Sequence, residues 1–203
     1  MFLGILVDLK NYIMKSLKQL IKNYIHNNPK ENSAHDMLNL LKTDGCFLKN
    51  NYDGHFTGSA WIISPEKDKI LMTHHKKLGM WLQLGGHADG EKDLLKVALR
   101  EAKEESGIQH FNILRDEIFD LDIHKIPKQM NQPSHKHYDI RFLLETDPVF
   151  NEISVSDESY DIAWIPIDDV IGLNPENSIK RMVEKTLAIK NLQLYSFSEK
   201  KDR

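Results

Sequence analysis

The sequence predicts an α/β (α+β) protein whose strand-and-helix body is preceded by an N-terminal helical segment. Three observations carry this reading. Apolar residues recur at helical spacing near the start, paired strand-like runs begin near residue 56, and a glycine-rich loop opens a long helix that a glycine closes.

Taking the elements in order, Leu6, Leu9, Ile13, Leu17, Leu20 and Tyr24 lay one apolar stripe along an amphipathic helix over 6–25. Asn27-Asn28-Pro29 ends it, and Ser33 with Asp36 caps the start of a second helix through Leu41. Residues 1–45 therefore form a helical accessory segment. Runs over 56–64 and 70–75, joined by Pro65-Glu66-Lys67-Asp68-Lys69, predict a hairpin. A helix follows over 93–106, with Gly107 placed to stop it. Further strands are expected over 118–126, 137–145 and 163–166. Asn174-Pro175-Glu176 then begins a helix running to about Ile189.

Composition bounds the function. The 203 residues, 40% hydrophobic and 28% charged, suit one main globular domain. With 27 basic against 30 acidic residues the net charge is -3, which gives no general pull toward a nucleic-acid polymer or an anionic membrane. A phosphate-bearing ligand must therefore be held locally. Asp8, Lys10, Lys15 and Lys18 interrupt the apolar start before it reaches the ~20 residues of a membrane span. Cys46 stands alone, excluding a disulfide framework within one chain, and a reducing, cytoplasmic setting is expected.

The chemistry concentrates in Gly85-Gly86-His87-Ala88-Asp89-Gly90-Glu91 and the helix carrying Arg100-Glu101-Ala102-Lys103-Glu104-Glu105-Ser106-Gly107-Ile108. At about 100° per residue Glu101, Glu104 and Glu105 share one helix face, and such crowded carboxylates call for a cation. Arg100 neutralises or orients part of the cluster. Leu95, Ala98, Leu99 and Ala102 form the face that packs on a sheet. Oxygen ligands in this number favour Mg²⁺, with Mn²⁺ as the alternative, over zinc. A bare glutamate-rich helix is more often a solvated surface, but the diglycine lets backbone approach a metal or phosphate and present a carbonyl ligand.

This stretch resembles the box of the Nudix hydrolase family: Gly, five residues, Glu, seven residues, then Arg-Glu-apolar-x-Glu-Glu-x-Gly-apolar. Gly86, Arg100, Glu101, Ala102, Glu104, Glu105, Gly107 and Ile108 match. Lys92 stands at the place of the first glutamate, with Glu91 one residue early, and Leu84 stands where many members carry proline. The resemblance implies an α/β/α sandwich with a mixed sheet, a Nudix domain over 46–203, and Trp81-Leu82-Gln83-Leu84 as the strand entering the box. It further implies metal-dependent hydrolysis of a diphosphate linkage in a nucleoside diphosphate derivative, by water attacking phosphorus. On this alignment Arg100, Glu101, Glu104 and Glu105 are the catalytic residues, with Glu101, Glu104, Glu105 and the Gly85 carbonyl as metal ligands.

A second constellation lies outside the box. Asp120, Asp122 and His124 alternate with apolar residues in one expected strand, and His135, His137, Asp139 and Arg141 do so in the next. Pairing through the connector 127–134 would merge them into one polar surface, with Arg141 suited to bidentate phosphate binding. Substrate binding by His87, His124, His135, His137, Asp139 and Arg141 is the expectation, weighed against an ordinary half-exposed hairpin. His-x-His on a strand also admits a second metal. Trp61, Trp81 and Trp164 read as core, and Glu158 as a weak additional acidic candidate.

Two alternatives share the fold. One is isoprenoid diphosphate isomerase chemistry, for which Cys46 lies far from the box. The other is a ligand sensor or interaction module without turnover, against which the complete Arg-Glu-x-x-Glu-Glu argues. The stripe from Leu6 to Tyr24 must be covered, and a second copy of the chain, in a homodimer, is slightly preferred to the chain's own domain.

Overall fold

The computed structural model describes residues 16–128, 132–149 and 152–201, with side chains as far as residue 192. Helix α1 (Leu17–Asn27) is capped by the Ser16 hydroxyl, which accepts from the Gln19 N–H at 3.3 Å. The earlier part of the stripe, Leu6 to Ile13, lies outside the described residues. Helix α2 (Ser33–Leu40) begins at Ser33 itself, with Asn32 at the cap position and no side-chain cap bond, so the expected Ser33 cap is displaced by one residue.

The body is a mixed sheet. Strand β1 (His55–Ile63) runs parallel to β7 (His135–Glu145) along its whole length, from His55↔His137 to Ile63↔Glu145. Its other edge is shared. The first half pairs antiparallel with β4 (Leu84–His87), and Ile62 and Ile63 pair with β2 (Lys69–His75). Strand β2 continues the sheet to β3 (Met80–Leu82) and β8 (Ser159–Pro166). Beyond β7, β6 (Asp120–Ile126) pairs antiparallel over seven positions, and β5 (Asn112–Ile113) adds a short edge. The expected single strand into the box is divided at Gln83, because β3 and β4 find different partners.

Alternation along β1 and β7 gives the sheet two unlike faces. Phe56, Ala60, Ile62, Ile140, Phe142 and Leu144 point to one side and are buried against α3 (Leu94–Ser106), α1 and α2. Trp61, Ile63 and Leu143 point to the other and meet Ile167 and Val170 of α4 (Ile167–Leu173) and Ile179, Met182 and Val183 of α5 (Asn177–Lys201). The result is the α/β/α sandwich. Helix α4 and strand β5 are too short to leave a periodic signal in the sequence, and β8 begins at Ser159, ahead of the expected 163–166.

The described part of the N-terminal stripe is covered by its own chain. Ile21 and Tyr24 of α1 and Ala34, Met37 and Leu40 of α2 join one buried cluster with sheet residues. The Tyr24 hydroxyl donates to Glu31 at 2.7 Å and accepts from Lys185 of α5 at 2.8 Å. For Ile21 and Tyr24 the chain's own domain supplies the cover, so this part of the stripe needs no second copy.

Candidate active site

Helix α3 is positioned at both ends by its own sequence. The Asp93 side chain accepts from the Lys96 N–H at 3.3 Å, and Glu91, one place before the family's glutamate position, accepts from the Asp93 N–H at 2.9 Å. At the far end Gly107 adopts φ 76° and returns its N–H to the Lys103 carbonyl at 2.9 Å. Leu94, Val97, Ala98 and Ala102 are buried on the sheet, and Leu95 and Leu99 pack beside them. Contact is tight over Gly58, where a Cβ would lie 2.7 Å from the Leu94 carbonyl oxygen.

That docking brings Glu101 and Glu105 to the glycine strand, while Glu104 stays exposed beside them. Arg100 Nη2 lies 2.6 Å from Glu101 Oε1 and donates to the His87 carbonyl at 2.7 Å. A Cβ on Gly86 would sit 2.5 Å from the Glu101 carboxyl carbon, so only glycine admits Glu101 there. The Gly85 N–H donates to Glu105 at 3.3 Å. Burial pushes the Glu105 carboxyl up to about 8, reinforced by Glu101, Glu158 and Glu104 and opposed by the Gly85 N–H. Burial raises Glu101 too, against the pull of Arg100. Carboxylates raised by burial and by one another fit a bound cation, which would relieve both. Glu101, Glu104 and Glu105 are the carboxylates of this helix that could hold a cation. Glu158, just before β8, joins their electrostatic field from a loop.

The second constellation assembles on the opposite face of the sheet. In the β6–β7 pair, Asp120 faces Arg141, Asp122 faces Asp139 and His124 faces His137. Strand β1 adds His55, Thr57 and Ser59 beside His137, Asp139 and Arg141, and β4 adds His87 opposite Thr57. His55 was missed by sequence reasoning, because a parallel partner 82 positions away (137 minus 55) leaves no local mark. The polar alternation His55, Thr57, Ser59 between Phe56, Gly58 and Ala60 was the available signal.

Arg141 does not present its fork to a ligand. It is 3% exposed, donates to Asp139 at 2.7 Å and lies 3.4 Å from Asp120 and 3.5 Å from Asp122. Burial resists charge on both partners, yet Arg141 holds Asp139 below the ordinary carboxylate range and Asp139 holds Arg141 above its own. Thr57, Ser59 and Gln83 complete the cage around Asp139, donating at 2.8, 2.8 and 3.3 Å. Asp120, fully buried, takes Arg181 at 2.7 Å and Lys185 at 2.8 Å as well. These two helical cations also escaped the sequence reading.

Five histidine rings cluster above this ion network. His55, His87, His124, His135 and His137 stand 4.8–5.4 Å apart between neighbouring centroids. Burial, then the surrounding imidazoles, pushes His137 down to about 3, and burial lowers His55 and His87. His124 goes the other way: burial opposes its charge, but the Asp122 carboxylate at 3.0 Å outweighs it. Elsewhere, Trp61 is buried with its Nε1 on Thr186 at 2.9 Å, Trp81 stacks on His74, and Cys46 lies buried in the core cluster.

Comparison with known proteins identifies the family and the fold. The NUDIX domain model matches residues 55–185. A probable DHNTP pyrophosphohydrolase of Lactococcus lactis subsp. cremoris is 26% identical over 113 residues, 55% of this chain and 67% of that protein. The crystal structure of a NUDIX-family hydrolase from Clostridium perfringens superposes with TM-score 0.51 at 27% identity, covering 66% of this chain and 97% of that one. The E. coli dihydroneopterin triphosphate pyrophosphohydrolase shares the fold, with TM-score 0.50 at 16% identity over 64% of this chain and 92% of that one. The matched stretch spans more than half of the chain and contains the glycine strand, α3 and both polar strands, and the chain belongs to the Nudix hydrolase family.

Proposed function

We propose that the protein is a Mg²⁺-dependent hydrolase that cuts a diphosphate linkage within a nucleoside diphosphate derivative. Membership of the family makes it a hydrolase of phosphoanhydride bonds. The single observation that carries the metal reading is the crowding on α3, where Glu105 is buried beside Glu101 and Glu104 with the Gly85 N–H as its hydrogen-bond donor.

Bound Mg²⁺, with Mn²⁺ as a substitute, would neutralise diphosphate oxygens and acidify water at Glu101, Glu104, Glu105 and the Gly85 carbonyl. Arg100 fixes the Glu101 carboxylate against the β4 backbone. A glutamate of this cluster takes the proton of the attacking water as its oxygen bonds to phosphorus. The anhydride P–O bond breaks, and the departing phosphate keeps the electron pair. His87, His124, His135 and His137 line the opposite face as candidate substrate contacts, whereas Asp139, caged by Thr57, Ser59, Gln83 and Arg141, organises them from below together with that arginine.

The test screens purified protein with Mg²⁺ and Mn²⁺ against nucleoside diphosphate sugars, dinucleotides, coenzymes and nucleoside triphosphates. A pterin triphosphate belongs in the panel because one similar protein is named for that substrate. Glu104→Gln and Glu105→Gln are each expected to lose at least about a hundredfold in turnover. Absence of turnover on every substrate, or near-normal turnover in both variants, would overturn the reading.

A further inference from the structure

The histidine cluster on the face opposite α3 has its own chemistry. One ring nitrogen from each of His55, His135 and His137 lies within 4.8 Å of the other two. Their tautomers are set from behind. His55 Nδ1 faces the Asn51 carbonyl at 3.1 Å and His135 Nδ1 faces the Pro133 carbonyl at 2.9 Å, which places a proton on each Nδ1. Both Nε2 atoms of the neutral rings then carry bare lone pairs. His55 Nε2 is buried without a hydrogen-bond partner among the described residues, and His135 Nε2 points at His137 Nε2 from 3.3 Å. Two nitrogens held by metal bonds of about 2.1 Å in a tetrahedron stand about 3.4 Å apart. An imidazole fixed by a carbonyl on its far nitrogen is the usual state of a metal-bound histidine.

We infer that His55, His135 and His137 form a binding site for a divalent transition-metal ion of the zinc class, separate from the carboxylate site on α3. Three imidazoles leave one coordination position open, and His87 and His124 border it, each in ring contact with His137. Imidazole donors select zinc, cobalt or nickel over Mg²⁺, so the two sites sort their ions by ligand type. The site draws on β1 and β7, joined by the parallel pairing His55↔His137, and on nothing from the helix of the box.

The test titrates metal-stripped full chain with Zn²⁺ alone, in millimolar Mg²⁺ that keeps the carboxylates occupied, and follows Co²⁺ in the same buffer by its visible spectrum. One tightly bound Zn²⁺ per chain and the intense bands of tetrahedral Co²⁺ are expected. His135→Gln and His137→Gln should each weaken Zn²⁺ by more than about a hundredfold, beyond the cost of losing an outer hydrogen-bond partner. His124→Gln, which leaves the three ligands in place, should cost no more than about tenfold, and Glu105→Gln should leave Zn²⁺ affinity unchanged. The inference is overturned if wild-type chain retains no Zn²⁺ in Mg²⁺, if Co²⁺ shows only the weak bands of octahedral oxygen ligation, or if binding survives in both histidine variants and is lost in Glu105→Gln. The wild-type measurements decide even where a histidine variant does not fold, and none of these readouts depends on hydrolysis.

Discussion

Arg100 grips Glu101 from the neighbouring position on α3, its Nη2 2.6 Å from Glu101 Oε1, while the same nitrogen reaches the His87 carbonyl. The carboxylate is thereby fixed to the β4 backbone. Arg100→Ala is expected to lower turnover about 10–100-fold and to raise the Mg²⁺ concentration needed for half-maximal rate, the usual size of an outer-partner effect. Arg100→Lys should recover part of the loss, since both contacts are made by a single nitrogen and one ammonium carries enough donors for them. Kinetics across a Mg²⁺ series check this. An unchanged Mg²⁺ dependence in Arg100→Ala would remove the positioning role.

Gly86 and Gly58 separate function from stability. A Cβ at Gly86 meets the movable end of Glu101, whereas one at Gly58 meets the Leu94 backbone carbonyl. Gly86→Ala should melt near wild type yet lose at least about tenfold in turnover, as a displaced carboxylate loses electrostatic stabilisation. Gly58→Ala should lose about 1–3 kcal/mol of stability from overpacking. Denaturation midpoints and kinetics on the two proteins distinguish them, and the reverse assignment would contradict the geometry.

For Arg141 the expected effect is on folding. Arg141→Ala leaves Asp139 and Asp120 buried short of a cation, a change that costs about 3–5 kcal/mol. Chemical denaturation is the measurement. A variant with a wild-type midpoint and a raised KM would return Arg141 to phosphate binding.

How much of this was readable in advance follows the range of the interactions. Asp93, Gly107 and the Arg100 to Glu105 run act within one helix, so spacing alone placed them. The alternation of Asp120 to His124 and of His135 to Arg141 was legible for the same reason, and a seven-residue register joins the two sets on one face. Yet alternation reports a face and not its depth. Arg141 looked like a surface phosphate ligand because the cations and carboxylates that enclose it come from other elements: Asp120 from β6 and, around Asp120, Arg181 and Lys185 from α5. His55 escaped because its partner is parallel and distant. The division at Gln83 and the short α4 depend on tertiary partners that leave no periodic trace.

Alkaline pH should weaken the attachment of α1. Burial, Asp120 and Glu31 all push the Tyr24 phenol above its ordinary value. A raised folded value means that the unfolded chain gives up its proton first as pH passes about 10, so stability present below that pH is lost above it. Tyr24→Phe should cost about 1–2 kcal/mol at neutral pH, through lost bonds to Glu31 and Lys185, and flatten the decline above pH 10. Denaturation curves from pH 7 to 11 compare the two. A wild-type slope in Tyr24→Phe would assign the decline to other groups.

Asp120 also says something about order of assembly. Its carboxylate has no exposure, and two of the three cations around it, Arg181 and Lys185, are carried by α5, far along the chain from β6. A chain cut after Asn174 would leave that charge to Arg141 alone, at 3.4 Å and already committed to Asp139. Lys185 reaches the Tyr24 hydroxyl as well, so the first described helix depends for its last contact on the last one. The sheet between them is therefore fastened by a clasp whose two halves come from opposite ends of the described chain, and it closes only once α5 has been made.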